Sequence, residues 1–424
     1  MSIRLRPSSM LFWLPIVATA AINAFPSKSD AKGGLLPIFR DGKYGYIDRA
    51  GKVIVPPQFP HATDFADGMA RVALGEQEQW TYINVAGELM NKKFDKPIRF
   101  MDWFYNFSEG LAVSRVGGAE QRTPDGYHSV VVGGKYGFID KGGKIAIPVS
   151  FDGARLFKQG LAAVKKDAKW GFIAKTGRLA IPANFDAVND FTDGLAQVMI
   201  QGKWGFINTK GQTVVQPTFD QVDYFHDGLA QIMLAGRYGF VDQRGHIVIE
   251  PKFEYAGNFS GERAMVRVGD SGKYKFGYID KAGNMVIPAK FGEAYDFSEG
   301  LAAVKINREF QDVPDNSDKY WGYIGTTGAY VITPRYYQVH AFSEGLAAVS
   351  PTTLAPWGYM DRTGKMVIAP QFDSRTGPFQ DGIACVYTDR DYKTRDDHGY
   401  IDRTGKFIWP FGSAMKNQPE AKAK

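Results

Sequence analysis

A single cysteine, Cys385, in 424 residues has no partner for an intramolecular disulfide, so the fold must rest on packing alone. Histidine is scarce as well. The six (His61, His128, His226, His246, His340 and His398) are scattered, with no H-E-x-x-H or other paired-ligand spacing, so no metal site is expected. Charge is not concentrated: the formal net value of +6 is dispersed along the chain, which argues against a nucleic-acid partner. No 3.6-residue apolar period runs through the chain, which excludes a helical bundle or helical solenoid.

What is present begins with a leader. Arg4 and Arg6 precede an apolar run from Met10 to Phe25, and Ala18, Ala20 and Ala24 offer small-residue cleavage positions. The pattern predicts a secretory signal peptide over residues 1–24, too short and proline-broken for a comfortable span, followed by a linker over 25–33. No cysteine near the cleavage region supports a lipid anchor. A secreted or periplasmic protein with no stable membrane span after cleavage is the expectation.

From Gly34 onward the chain repeats itself. Ten aromatic-type anchors (Tyr44, Trp80, Tyr136, Trp170, Trp204, Tyr238, Phe276, Trp321, Trp357 and the degenerate His398) are each followed seven residues later by glycine. Glycine also follows the anchor directly in nine of them, Thr81 being the exception. The segment I-D-x-x-G suits a type I turn capped by the Asp side chain and closed by a glycine of positive φ, so each unit opens with a hairpin. Prolines such as Pro148, Pro182 and Pro251 are expected at or just past the end of its second strand. A connector leads to the phrase F-S-E-G-L-A, whose nine phenylalanines (Phe65 to Phe379) are each followed five residues later by alanine. That phrase reads as a turn and a third strand. Three short strands per unit of about 34 residues, ten units in all, predict an all-β repeat domain over residues 34–411. Residues 412–424 read as a flexible tail.

The phrases K-W-G-F-I-D, G-K-x-V-I-P-P-x-F and F-S-E-G-L-A-A-V resemble the WG-repeat (KWG-repeat) family of bacterial proteins. The resemblance implies a β-rich scaffold, suspected to be propeller-like, without an agreed catalytic site. Thr81, His398 and Gly261-Glu262-Arg263-Ala264 depart from the pattern and leave the second, sixth and tenth units less regular.

The chain ends bear on closure. Gly34-Leu35-Leu36 stands at the same offset from Tyr44 as Gly194-Leu195-Ala196 from Trp204, so it reads as a third strand without its hairpin. The tenth hairpin lacks a third strand. A closed or nearly closed ring, completed from both ends, is favoured over the alternative of an open β-solenoid.

Length variation points to function. The anchor-to-phenylalanine spacing is 21 residues in seven of nine units, whereas phenylalanine to next anchor runs from 13 to 29. The long versions, Ser114 to Gly134, Ile306 to Lys319 and Tyr387 to Asp397, are expected to emerge on one face and build a recognition surface. An exported, non-catalytic scaffold binding a protein or cell-envelope component through these loops is the leading expectation. The alternative is a carbohydrate or peptidoglycan binder using Trp103, Tyr105, Tyr127 and Tyr392. The F-S-E-G serine lacks a nucleophile elbow, and Asp312, Asp315 and Asp318 miss the EF-hand ligand order. No catalytic residue and no cofactor are therefore expected.

Overall fold

The computed structural model describes residues 34–75, 79–90, 106–122, 129–269, 274–306, 320–352, 356–373, 376–387 and 398–410. Everything regular among them is strand. The leader, the linker and the tail beyond residue 411 lie outside the described residues.

Five four-stranded antiparallel sheets share one plan, a simple meander in chain order. In the sheet built from Gly153–Lys158, Leu161–Lys166, Lys169–Ala174 and Leu179–Phe185, the second strand is the F-S-E-G-L-A-A-V phrase and the last two are the W-G-F-I hairpin. The sheet is therefore framed one strand away from the sequence unit: the strand after F-S-E-G pairs with the following hairpin, and a short connector strand precedes both. Elsewhere Met285–Ala294 runs straight from the edge of one meander into the start of the next, fusing two into a seven-stranded sheet.

Turns fix the meander. In the D-x-x-G turn, Asp280 Oδ1 accepts from the N–H groups of Ala282 and Asn284, while Gly283 takes φ +81°, as the spacing implied. The F-S-E-G turn is tighter. Glu299 (φ +52°) and Gly300 (φ +80°) form a two-residue link with Ser298 and Leu301 exchanging backbone bonds of 2.8 and 3.0 Å, the geometry whose twist matches that of the strands.

The glycine after the anchor has a different reason. The fourth strand carries its proline inside the strand, as Pro182 does within Leu179–Phe185, rather than terminating it. Trp170 pairs with Phe185 but Phe172 with Ile181, so the fourth strand bulges between them. The bulge folds onto the hairpin backbone: a Cβ on Gly171 would lie 2.6 Å from Ile181 O and 2.7 Å from Ala183 N. Proline loses no bond at this free edge and discourages strand addition there. In the second unit Thr81 replaces the glycine, and among the described residues only an Ile83–Leu89 bridge stands in place of the fourth strand. Thr81 Oγ1 donates to Met90 O at 3.2 Å instead.

Sheets stack face to face in chain order. The aromatic two residues past each anchor meets the F-S-E-G phenylalanine of the next sheet: Phe138 with Phe157 at 4.9 Å, Phe172 with Phe191 at 4.8 Å, Tyr323 with Phe342 at 5.0 Å. Ala162, wholly buried beside Phe157, is small because the sheets close there. The chain ends do not share a sheet, since Leu36–Arg40 pairs with Lys43–Ile47. Instead the first and last sheets touch: Ile38 and Ile47 pack with Tyr400 and Trp409, and Tyr400 Oη donates to Pro37 O at 2.9 Å.

Gly171→Ala is expected to lower stability by about 1–3 kcal/mol in urea denaturation, because backbone must shift to admit the methyl group. Thr81→Gly should lower stability by about 1–3 kcal/mol, because it removes a buried side chain bonded to Met90 O and frees strand backbone.

Candidate functional site

A meander places its turns in a fixed way. The F-S-E-G turn and the D-x-x-G turn lie at one end of each four-stranded sheet; the second-to-third-strand turn and the link to the next sheet lie at the other. These two ends differ in chemistry.

The F-S-E-G end is latched. Ser108, Ser260, Ser298 and Ser343 donate through Oγ to the carbonyls of Phe157, Phe297, Phe342 and Phe379 on the following sheet, at 2.6–2.7 Å. The neighbouring carboxylate or amide accepts from the next turn glycine: Glu109 from Gly160 N, Gln159 from Gly194 N, Glu299 from Gly345 N and Glu344 from Gly382 N. A basic residue of the next hairpin completes the latch, as in Lys175–Glu109 at 3.3 Å and Arg403 donating to Glu344 O at 2.5 Å. The recurring serine is thus occupied in holding sheets together. The repeated acidic residue, which the sequence offered only as part of a turn, has the same task.

The opposite end carries the insertions. There the start of each third strand is tied to the residue just past the fourth by pairs such as Lys135–Asp152, Lys169–Asp186 and Lys203–Asp220. Each lysine holds its aspartate below the ordinary carboxylate value, chiefly by direct hydrogen bonding. All three long connections leave from this end. The first is itself a hairpin, Ala119–Arg122 paired with Ser129–Val132. Ile306 and Tyr387 mark the stems of the other two, whose spans 307–319 and 388–397 lie outside the described residues. Trp103, Tyr105, Tyr127 and Tyr392 lie outside them too, as do Asp312, Asp315 and Asp318.

A third surface was not anticipated. The residues just before the F-S-E-G phenylalanines bring polar side chains of consecutive sheets together. Tyr224 senses the charges of Asp190, Arg155 and Asp223, which come from three sheets. Asn258 Nδ2 donates to Asp223 Oδ2 at 3.0 Å. Burial pushes Asp64 and Asp296 up to about 6, raises Asp190 and lowers His340. The signal available in sequence was an acidic residue immediately before the phenylalanine, at Asp64, Asp190 and Asp296, where a strand residue would ordinarily be apolar. Among the described residues no three His, Cys, Asp or Glu side chains gather as a metal site, and no helix is long and apolar enough to cross a membrane.

Folding raises the Asp64 carboxyl from its ordinary range to about 6, so its contribution to stability is full below pH ~4 and is lost as pH rises through about 6. Asp64→Asn should therefore stabilise the protein at pH 7 by on the order of 2 kcal/mol and leave it unchanged near pH 4, read by urea denaturation at both values.

Among curated proteins no sequence matches this chain. Of solved structures, Hsv2 of Kluyveromyces lactis is similar at 11% identity over 55% of this chain and 75% of that one, with a TM-score of 0.32. The dihydro-heme d1 dehydrogenase NirN is similar at 12% over 81% and 73%, with a TM-score of 0.34. A streptogramin B lyase is similar at 14% over 55% and 88%, with a TM-score of 0.27. The model of the WG containing repeat matches residues 44–76, 136–170, 170–204, 204–238, 238–274, 276–309, 321–350 and 357–390. The two units it passes over whole are those anchored at Trp80 and His398, which depart from the pattern. With eight matches over more than half its length, the chain belongs to the WG-repeat family.

Proposed function

We propose that this protein is an exported, non-catalytic repeat scaffold whose ten modules close into a ring and present a protein or cell-envelope partner with the loop-bearing end of the sheets. The observation that carries the reading is the asymmetry of the two ends. One is regular and committed to latching sheet to sheet; the other holds every long connection, and a surface released from structural duty is where recognition evolves. Export rests on the leader pattern of residues 1–24. The non-catalytic reading rests on the use of the recurring serine and acidic residues as latches.

Closure draws support from equivalence. Asp381, at the F-S-E-G position of the last sheet, receives Arg49 of the first hairpin at 3.5 Å, with Arg49 Nη1 also donating to Asp381 O at 3.1 Å. That is the place held by Lys175–Glu109 between neighbouring sheets. Gly51 lies against the backbone carbonyl of Ile408 as Gly245 lies against that of Val214. The last-to-first contact thus repeats turn positions that join consecutive sheets, while Tyr400, two past the last anchor, reaches Pro37 O rather than a phenylalanine.

Deleting residues 34–40 should turn one sharp melting transition into a broad or multiphasic one; an unchanged sharp transition contradicts closure. Trimming all three long connections to the 13-residue spacing should abolish capture of a cell-envelope protein by the mature chain without lowering its melting temperature. Unchanged capture contradicts the loop-face reading, and capture competed by cell-wall glycan would move the assignment to a carbohydrate ligand.

A further inference from the structure

Three neighbouring units depart from the others on the strand that carries the proline. Ahead of its inward aromatic that strand pairs with a single neighbour, so its outward positions meet solvent. In Ile247–Phe253, Met285–Ala294 and Tyr330–Tyr336 the residue just before the inward aromatic is Lys252, Lys290 or Arg335. The same position elsewhere holds Gln58, Ser150, Asn184, Thr218 and Gln371. Lys252 and Arg335 are exposed, and Lys290 is partly so. Among the described residues none of the three enters an ion pair. Each charged group lies instead over the adjoining ring, 5.2, 5.4 and 5.2 Å from its centre, and Arg335 Nη2 donates to Gly364 O at 2.7 Å.

The same strands are apolar at their other end, beside the D-x-x-G turn. Ile247, Val248, Met285, Val286 and Val331 are each 37–50% exposed there. Where Val248, Val286 and Val331 stand, the third and fourth units have Ala146 and Ala180. The three strands are neighbours. A Cβ on Gly283 would lie 3.3 Å from the Ile249 side chain and one on Gly328 3.0 Å from that of Ile287, and the Tyr330 and Phe291 rings meet edge-on at 6.5 Å. The aliphatic side chains therefore form one row across three strands and the cations a second. Glu250 is the only acidic residue at an outward position ahead of the inward aromatics. Charge and proline on an edge strand protect it from unwanted pairing, but a row of exposed aliphatics works against that purpose.

We propose that this three-strand face docks on an anionic lipid surface, with the aliphatic row entering the headgroup boundary and Lys252, Lys290 and Arg335 meeting lipid phosphates. The two rows match the two layers of such a surface, and the long basic side chains can reach headgroups while their stems stay on apolar ground. Charge decides against the other occupant of an apolar edge, a second copy of this chain. That contact would gather the cations of both chains against only their two Glu250 side chains. The face consists of regular strands, apart from the long connections, and it is present whether or not the array closes.

The test is co-sedimentation of the mature chain with phosphatidylcholine vesicles, either pure or containing about 30% phosphatidylglycerol. Binding is expected to the anionic vesicles only and to weaken at least ten-fold as salt rises from about 0.1 to about 0.5 M. Replacing Lys252, Lys290 and Arg335 together by Gln, the residue that Gln58 and Gln371 place at this position, should weaken it about a hundred-fold. Ile247→Thr with Met285→Thr and Val331→Ala, which copy Thr213 and Ala180, should weaken it about ten-fold. Both variants should melt as the parent does, and the loop-trimmed chain should bind vesicles like the parent. Equal binding to pure phosphatidylcholine, or unchanged binding in the folded Gln variant, would overturn the proposal. Unchanged binding in the folded aliphatic variant would reduce the face to a general polyanion surface and overturn it as well. A dimer that forms without vesicles and is lost in the aliphatic variant would assign the face to a second copy instead.

Discussion

Each sheet in this protein is joined to the next by one aromatic pair, and most other regularities follow from it. The ring two residues past the anchor meets the following sheet's F-S-E-G phenylalanine at 4.8–5.0 Å, from Tyr46 with Phe65 to Tyr359 with Phe379. Edge-on and tilted contacts of this kind add about 0.5–1.5 kcal/mol each beyond the area they bury. They also fix the spacing between sheets. The alanine five residues later must then be small, and the serine and acidic residue beside the phenylalanine fall within reach of the next turn. Where the first ring is tyrosine, its hydroxyl finds a carbonyl of the next sheet, as Tyr323 finds His340 O at 2.7 Å.

Glycine after the anchor serves the same end from within the sheet. By letting the bulged fourth strand lie on the hairpin backbone, it keeps each sheet thin where its neighbour must approach. The proline on that strand faces the free edge, where no donor is needed. Short sheets of this kind bury little by themselves, and the chain compensates by repeating the contact.

Local chemistry was legible from residues, long-range chemistry less so. The D-x-x-G turn could be read because its capping aspartate and its glycine are three residues apart in one chain segment. The four-stranded frame could not, since the connector strand is as short as two residues in Ala187–Val188 and has no period to detect. The proline was misplaced by a simple rule, that it ends ladders; at a free edge the rule has no force. The role of the F-S-E-G carboxylate was hidden because its partner, a backbone N–H, leaves no trace in sequence. Asp296 and Gly257 show the same limit, being 39 residues apart in sequence and in contact only because one sheet leans on the next. Thr81 and His398, by contrast, were readable as irregular, and the segments they open are among those the family model passes over.

The proposed ring requires the first and last sheets to meet through their hairpin turns as neighbours do. Distances between spin labels at turn positions test it directly, with Cys385 replaced by alanine. Ala50, Thr363 and Thr404 occupy the same place in the first, ninth and tenth hairpin turns, all exposed. The pair Ala50–Thr404 should give the same separation as the neighbouring pair Thr363–Thr404. A separation several times larger would mean that the array is open.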